Sequence, residues 1–161
     1  MWHSYFTYDE STGLLRWKHR TPTEFKSKGA WKRWGTQFYG KIAGNKKSYP
    51  NGDPHAVEIC LHQKTYQAHR VIWEMMVGPI GDGLDIDHKD GNAWNNRLDN
   101  LRPCTKSQNM MNRRKPSHNT SGYKGVSWHA KGEKWHAQIR VAGKNIHLGL
   151  FSDKELASEA Y

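Results

Sequence analysis

Leu84-Asp85-Ile86-Asp87-His88-Lys89-Asp90-Gly91-Asn92 is the stretch on which the fold turns. Apolar and polar residues alternate from Leu84 to His88, the pattern of a short strand, and Lys89 to Asn92 has the chemistry of a turn. Downstream lie an Asn-rich loop, Asn95 to Asn100, and the pair Leu101-Arg102. Thr105 followed three residues later by Gln108 then marks the start of a helix running to Asn112. The order is strand, loop, strand or turn, helix. Neighbouring side chains of an extended strand point to opposite faces, so Asp87 and His88 can serve one cavity only where the strand ends or bends. The turn after His88 supplies that bend.

This set suits phosphodiester hydrolysis, which needs an activated water, a cation on the phosphate and a stabilised leaving oxygen. Asp87 and the amide oxygen of Asn109 are hard oxygen donors of the kind Mg²⁺ or Mn²⁺ prefers. His88, with an ordinary pKa of about 6.5, can take a proton from water at neutral pH. Asn100, in the loop before the helix, is placed to tie that loop to the His-bearing strand through backbone hydrogen bonds. Arg97 and Arg102 flank it as candidate phosphate clamps. Asp85 and Asp90 either add charge near the metal or are solvated turn bystanders, and His69 either lines the site or fills the core.

Composition agrees with a polyanionic partner. Lys and Arg number 25 against 15 Asp and Glu, a formal charge of +10, which favours nucleic acid over an acidic small molecule. The longest apolar run, Val71-Ile72-Trp73 and Met75-Met76-Val77, is broken by Glu74. It falls far short of the ~20 residues a bilayer span requires. The first residues lack the order of a signal peptide, so a cytoplasmic protein with no membrane contact is expected. Cys60 and Cys104 are too far apart for a zinc knuckle and too few for a disulfide framework, and both read as buried or half-buried thiols.

Upstream, turn signals separate short runs with strand composition: Leu14 to Trp17, Gly40 to Ala43, Val57 to Leu61 and Thr65 to Ala68. The last two predict a hairpin around His62-Gln63-Lys64. From Ala68 to Val77, apolar residues at helical spacing followed by Gly78-Pro79 predict a helix.

The stretch from His69-Arg70-Val71-Ile72-Trp73 through Asp87-His88-Lys89-Asp90-Gly91-Asn92, Asn95-Asn96-Arg97-Leu98-Asp99-Asn100-Leu101-Arg102 and Ser107-Gln108-Asn109 resembles the HNH endonucleases of phages and mobile introns. The resemblance implies a ββα-metal core. In it His88 is the general base, Asp87 and Asn109 hold one divalent ion, and Asn100 is structural. Asn rather than His at 109 matches the intron-encoded branch. An RNA target and a non-cutting, sequence-specific DNA-binding protein are the competing readings.

After a basic, proline-containing linker at 113–121, Val126 to His129, Trp135 to Val141 and Ile146 to Phe151 have strand composition. A short helix capped by Ser152 follows. The segments Ser121-Gly122-Tyr123-Lys124-Gly125-Val126-Ser127-Trp128, Lys134-Trp135-His136-Ala137-Gln138-Ile139-Arg140 and Leu148-Gly149-Leu150-Phe151 resemble the AP2 DNA-binding domain. That family lays a three-stranded sheet, backed by one helix, in the major groove. On this resemblance Lys124, Ser127, His129, Lys134, Gln138 and Arg140 project toward DNA, and Trp128 and Trp135 pack either on sugars or in the core. The backing helix stops at Tyr161, short of the family's usual length.

The sequence thus predicts an α+β protein: a β-rich segment at 1–66, an HNH core at 67–115, and an AP2-like three-stranded antiparallel sheet with one short helix at 116–161. Double-stranded DNA is its expected partner and Mg²⁺ or Mn²⁺ its expected cofactor. One base and one metal per chain, with no self-complementary apolar stripe, predict a monomer that nicks, with a dimer assembled on DNA as the alternative.

Overall fold

The computed structural model describes residues 1–112, 119–141 and 143–161. Most of the linker expected at 113–121, and Ala142, lie outside the described residues. The protein is α+β, with several small sheets and few helices. It divides into two compact units, Met1–Cys104 and Thr105–Tyr161.

In the first unit β1 (Phe6–Asp9) and β2 (Leu14–Trp17) form an antiparallel hairpin with Phe6 opposite Trp17 and Tyr8 opposite Leu15. Its register puts Phe6, Leu15 and Trp17 into the core. The helix α1 (Lys28–Phe38) follows, which the sequence did not predict. Two glycines, a threonine and three aromatics in eleven residues are poor helix formers. Packing overrides that weakness, because Trp34 and Phe38 close on the Trp17 ring at 5.8 and 6.1 Å and Ser27 Oγ caps the Ala30 amide.

The strand expected at Gly40 to Ala43 is absent. Gly40 and Gly44 have positive φ and turn the chain, leaving one bridge between Arg16 and Ile42. A sheet of order β3-β4-β5 comes next, built from β3 (Asn45–Ser48), β4 (Pro54–Leu61) and β5 (Lys64–Gln67). The predicted hairpin joins β4 to β5, with His62 and Gln63 both at positive φ, the backbone that a two-residue connection requires.

The helix α2 (Ala68–Met76) buries Ala68, His69, Val71, Ile72 and Met75. Then β6 (Leu84–His88) pairs with β7 (Leu101–Thr105) as a two-stranded sheet. Ile86 and Leu101 share one core with Phe6, Trp17, Ile59 and Ile72. The boundary expected at 66/67 therefore does not separate two cores: the apolar faces of the N-terminal hairpin and of β4 have nothing else to bury against. Cys104 is buried on the inward face of β7, but Cys60 is exposed, against expectation, because it sits on the outward face of β4.

The second unit begins with α3 (Lys106–Asn112), so this helix groups with the C-terminal sheet and the division falls upstream of the expected 115/116. Its start is the expected capping box, with Thr105 N–H donating to Gln108 Oε1 at 2.8 Å and Gln108 N–H to Thr105 Oγ1 at 3.3 Å. The antiparallel sheet has the order β10-β9-β8, from β8 (Val126–His129), β9 (Lys134–Val141) and β10 (Lys144–Phe151). The helix α4 (Lys154–Glu159) backs it through Ala157, which is buried with Val126 and Ala137. Its cap is Asp153 rather than the expected Ser152. The carboxylate accepts from the Glu155 and Leu156 amides and so lies below the ordinary Asp pKa.

Candidate active site and nucleic-acid face

β6 ends at His88, where Gly91 N–H donates to the His88 carbonyl at 2.9 Å and closes the turn. Asp87 and His88 are consequently both buried although they are neighbours on one strand. Asn100 fastens the far side. Its backbone carbonyl accepts from Lys89 N–H at 2.8 Å, its Oδ1 accepts from Asp90 N–H at 3.1 Å, and its Nδ2 donates to the Asn95 carbonyl at 2.8 Å and to Asp90 Oδ1 at 3.0 Å.

Asp90 is thus part of the loop's framework, which sequence reasoning missed when it treated the residue as charge near the metal or a solvated bystander. Burial pushes its carboxyl up, but donors from Asn95, the Asn92 backbone and Asn100 outweigh that, and its pKa lies below the usual Asp value.

Asn96 was also missed as a site residue. It is buried, and its Oδ1 accepts from His88 Nε2–H at 2.9 Å. A proton held on Nε2 makes Nδ1 the proton-accepting atom of the ring. An Asn-Asn pair in a loop otherwise reads only as turn chemistry, so the signal for this role lies in three dimensions.

The N-terminal hairpin braces the same loop. Tyr8 Oη donates to the Asn96 carbonyl at 3.1 Å and accepts from Leu98 N–H at 2.9 Å. Arg97 Nη1 donates to the Ser11 carbonyl at 2.7 Å. Gly13, at φ +73°, lies so close that a Cβ there would stand 2.6 Å from Arg97 N. Segment 1–66, to which the sequence assigned no chemistry, holds the His88-orienting loop in place.

Both candidate phosphate clamps have protein partners. Arg97 also pairs with Asp99 at 3.1 Å, and Arg102 donates from Nη2 and Nε to Asp87 Oδ2 at 2.9 and 3.2 Å. Asp85 pairs with Arg70 at 3.5 Å. Burial, with Asp87 nearby, raises the Cys104 thiol and keeps it protonated and inert beneath the strands.

His69 packs edge-on to His88 with ring centroids 4.9 Å apart, and its Nδ1 is buried without a hydrogen-bond partner among the described residues. Burial first, then the neighbouring His88 and Arg70, depress its pKa from 6.5 to about 3. Because the unfolded chain binds this proton more readily, His69 favours the fold fully above pH ~6.5, and that contribution is lost as pH falls toward 3. Urea unfolding should show a pH slope up to ~1.4 kcal/mol per unit steeper in wild type than in His69→Phe between pH 6.5 and 5. Equal slopes would mean that His69 titrates normally.

In the second unit Asn109 lies half-buried on α3. Register partners share a sheet face. Val126 and Ala137 face α4, so Ser127 with His136, His129 with Lys134, Gln138 with His147 and Arg140 with Asn145 occupy the opposite face. Five of the six residues expected to project together do so. Lys124 does not, since its ammonium donates to the Met111 carbonyl.

Trp128 and Trp135 are partners on the helix side, edge to face at 5.1 Å. Trp135 packs on the small core and Trp128 is 49% exposed. Of the two readings open for them, Trp135 takes the core one. His136 and His147 meet at 2.7 Å on the polar face, and burial followed by His147 and His129 lowers the His136 pKa.

The donor chemistry fits a hard divalent ion. Among the described residues no three His, Cys, Asp or Glu gather into a protein cage. A Mg²⁺-type ion needs none, because it keeps several waters and takes phosphate oxygens alongside one or two protein ligands. The buried carboxylate of Asp87 is a donor of that kind. No helix is long and apolar enough to cross a membrane among the described residues.

Residues 66–111 match the model of the HNH endonuclease family. Protein 3.8 of Escherichia phage T7 is 43% identical over 81 residues, covering 50% of this chain and 67% of that protein. A solved structure described as DNA binding and cleavage by the HNH homing endonuclease I-HmuI aligns with a TM-score of 0.42 and 24% identity, over 67% of this chain. The chain spans only about half of that one, 51%. The protein belongs to the family of phage T7 Protein 3.8 and carries an HNH endonuclease domain over residues 66–111.

Proposed function

We propose that the protein is a divalent-metal-dependent DNA endonuclease that nicks duplex DNA at selected sites. The observation that carries this is His88 at the end of β6, its ring oriented by the Nε2–H···Oδ1 bond to Asn96, next to the buried carboxylate of Asp87. Asp87 and Asn109 would hold the ion, which neutralises charge on the scissile phosphate when bound. His88 Nδ1 takes one proton from the attacking water. The water oxygen bonds to phosphorus as one ester P–O bond breaks, and the departing sugar oxygen takes a proton from solvent to leave as a hydroxyl. Arg102, already on Asp87, keeps further N–H donors for a phosphate oxygen.

The face bearing Ser127, His129, Lys134, Gln138 and Arg140 reads the major groove in the manner of an AP2-like sheet. Gln and Arg there match the donor and acceptor edges of adenine and guanine. One base per chain cuts one strand per encounter, so a monomer nicks. Supercoiled plasmid carrying the target, incubated with protein and Mg²⁺ or Mn²⁺, should become open circles, and chelator should stop it. Tight, selective binding without relaxation would establish the non-cutting reading. Linear product at low enzyme concentration would replace nicking by paired cuts.

A further inference from the structure

The charge excess is concentrated far from the catalytic residues in sequence. Between Phe25 and Gly52 the chain has seven Lys or Arg and no Asp or Glu. In α1 the aromatics Trp31, Trp34 and Phe38 are half-buried, while Gly29, Lys32, Arg33, Thr36 and Gln37 recur at i, i+3, i+4, i+7 and i+8, one stripe along the helix. With Lys41 they line a shallow surface groove. Lys32, Arg33 and Lys41 are exposed, and none of them forms an ion pair among the described residues. The arginines around the active site, by contrast, are all paired.

The stripe is also composed against the helix's own interest. No acidic residue stands in the first turn and Lys28 does, although a helix N-terminus favours negative charge. Gly29, in the middle of the stripe, would meet nothing nearer than Ser27 Oγ at 3.9 Å if it carried a Cβ. The fold gains no packing from a glycine that weakens the helix. Both features suit a polyanion lying close against α1.

The basic segment is joined to the active-site loop. Lys46 of β3 lies over the Trp94 ring at 5.0 Å, and Trp94 Nε1–H donates to the Lys47 carbonyl at 2.9 Å. Trp94 is two residues before Asn96, the partner of His88.

We infer that the basic stripe of α1, with Lys41, forms a second DNA-contact surface, one that grips the phosphate backbone of duplex flanking the cut without reading its sequence. The inference takes its partner from the endonuclease reading but does not depend on cleavage.

It is tested by equilibrium binding of the full-length protein to a non-specific duplex, without divalent cation, over a salt series. Lys32→Gln with Arg33→Gln is compared with a charge-matched control, Lys64→Gln with Lys154→Gln. Removal of two phosphate contacts should lower the log–log salt slope by about 2 and weaken binding about tenfold or more near 0.1 M salt. The control pair should do far less. Equal loss in both pairs, or none in either, would overturn the surface, as would a preference for anionic lipid vesicles over duplex at equal salt. Should wild type relax no plasmid while the slope difference persists, the nuclease reading fails and the surface stands.

Discussion

His88→Ala is expected to slow single-turnover DNA cleavage by about 10²- to 10⁴-fold, the usual contribution of a positioned general base, with duplex affinity nearly unchanged. The two quantities separate because a base that takes its proton in the transition state contributes little to ground-state binding. His88 is buried in the loop cradle, so its removal leaves Asn96 Oδ1 without the proton it accepts. The melting temperature must therefore be measured beside the rate. A variant that melts like wild type, binds like wild type and does not cut shows His88 acting in chemistry. Parallel loss of binding and cutting would make it a structural residue of the cradle.

Asp87→Asn is the second large effect. The change keeps the side chain's shape and removes its charge. It should abolish cleavage at ordinary metal concentrations, by about 10²-fold or more, in keeping with the several kcal/mol that metal neutralisation supplies. Its stability cost should be modest. The Asp87 side chain is 10% exposed but its partner Arg102 is 41% exposed, and water screens a cation on that side of the pair.

Asn109→Ala removes a neutral ligand only. High Mn²⁺ should restore more activity to it than to Asp87→Asn, and a metal titration of the cleavage rate reads the difference. Identical metal midpoints in wild type and both variants would remove Asp87 and Asn109 from the metal site.

Much of the site was legible in the sequence because it is local. The alternation from Leu84 to His88, the turn at Asp90-Gly91 and the Thr105–Gln108 box are all decided by residues within a few positions of one another, and β6, its turn and α3 stand where they were expected. The hairpin at His62-Gln63 was readable for the same reason.

What could not be read depends on distant partners. α1 exists because Trp34 and Phe38 find Trp17, not because its own residues favour a helix. Asn96 is set apart from the other loop asparagines only by where His88 ends up, and Tyr8 reaches it across 88 positions. The Arg102–Asp87 pair spans 15 residues and turns an expected phosphate clamp into a carboxylate partner. In the C-terminal sheet, alternation separated the faces correctly for Gln138 and Arg140, whereas Trp128 and Trp135 needed the helix position to be assigned.

The most direct measurement preforms the complex of the full chain with a cognate duplex in the absence of divalent ions, at saturating occupancy, and starts the reaction with Mg²⁺. The ends of both strands are mapped for wild type and His88→Ala in parallel. Wild type should break one strand at a single position in a metal-dependent burst, and His88→Ala, equally occupied, should leave both strands whole on the same timescale. Equal product from the two proteins, or no product from either at full occupancy, would contradict a nuclease centred on His88.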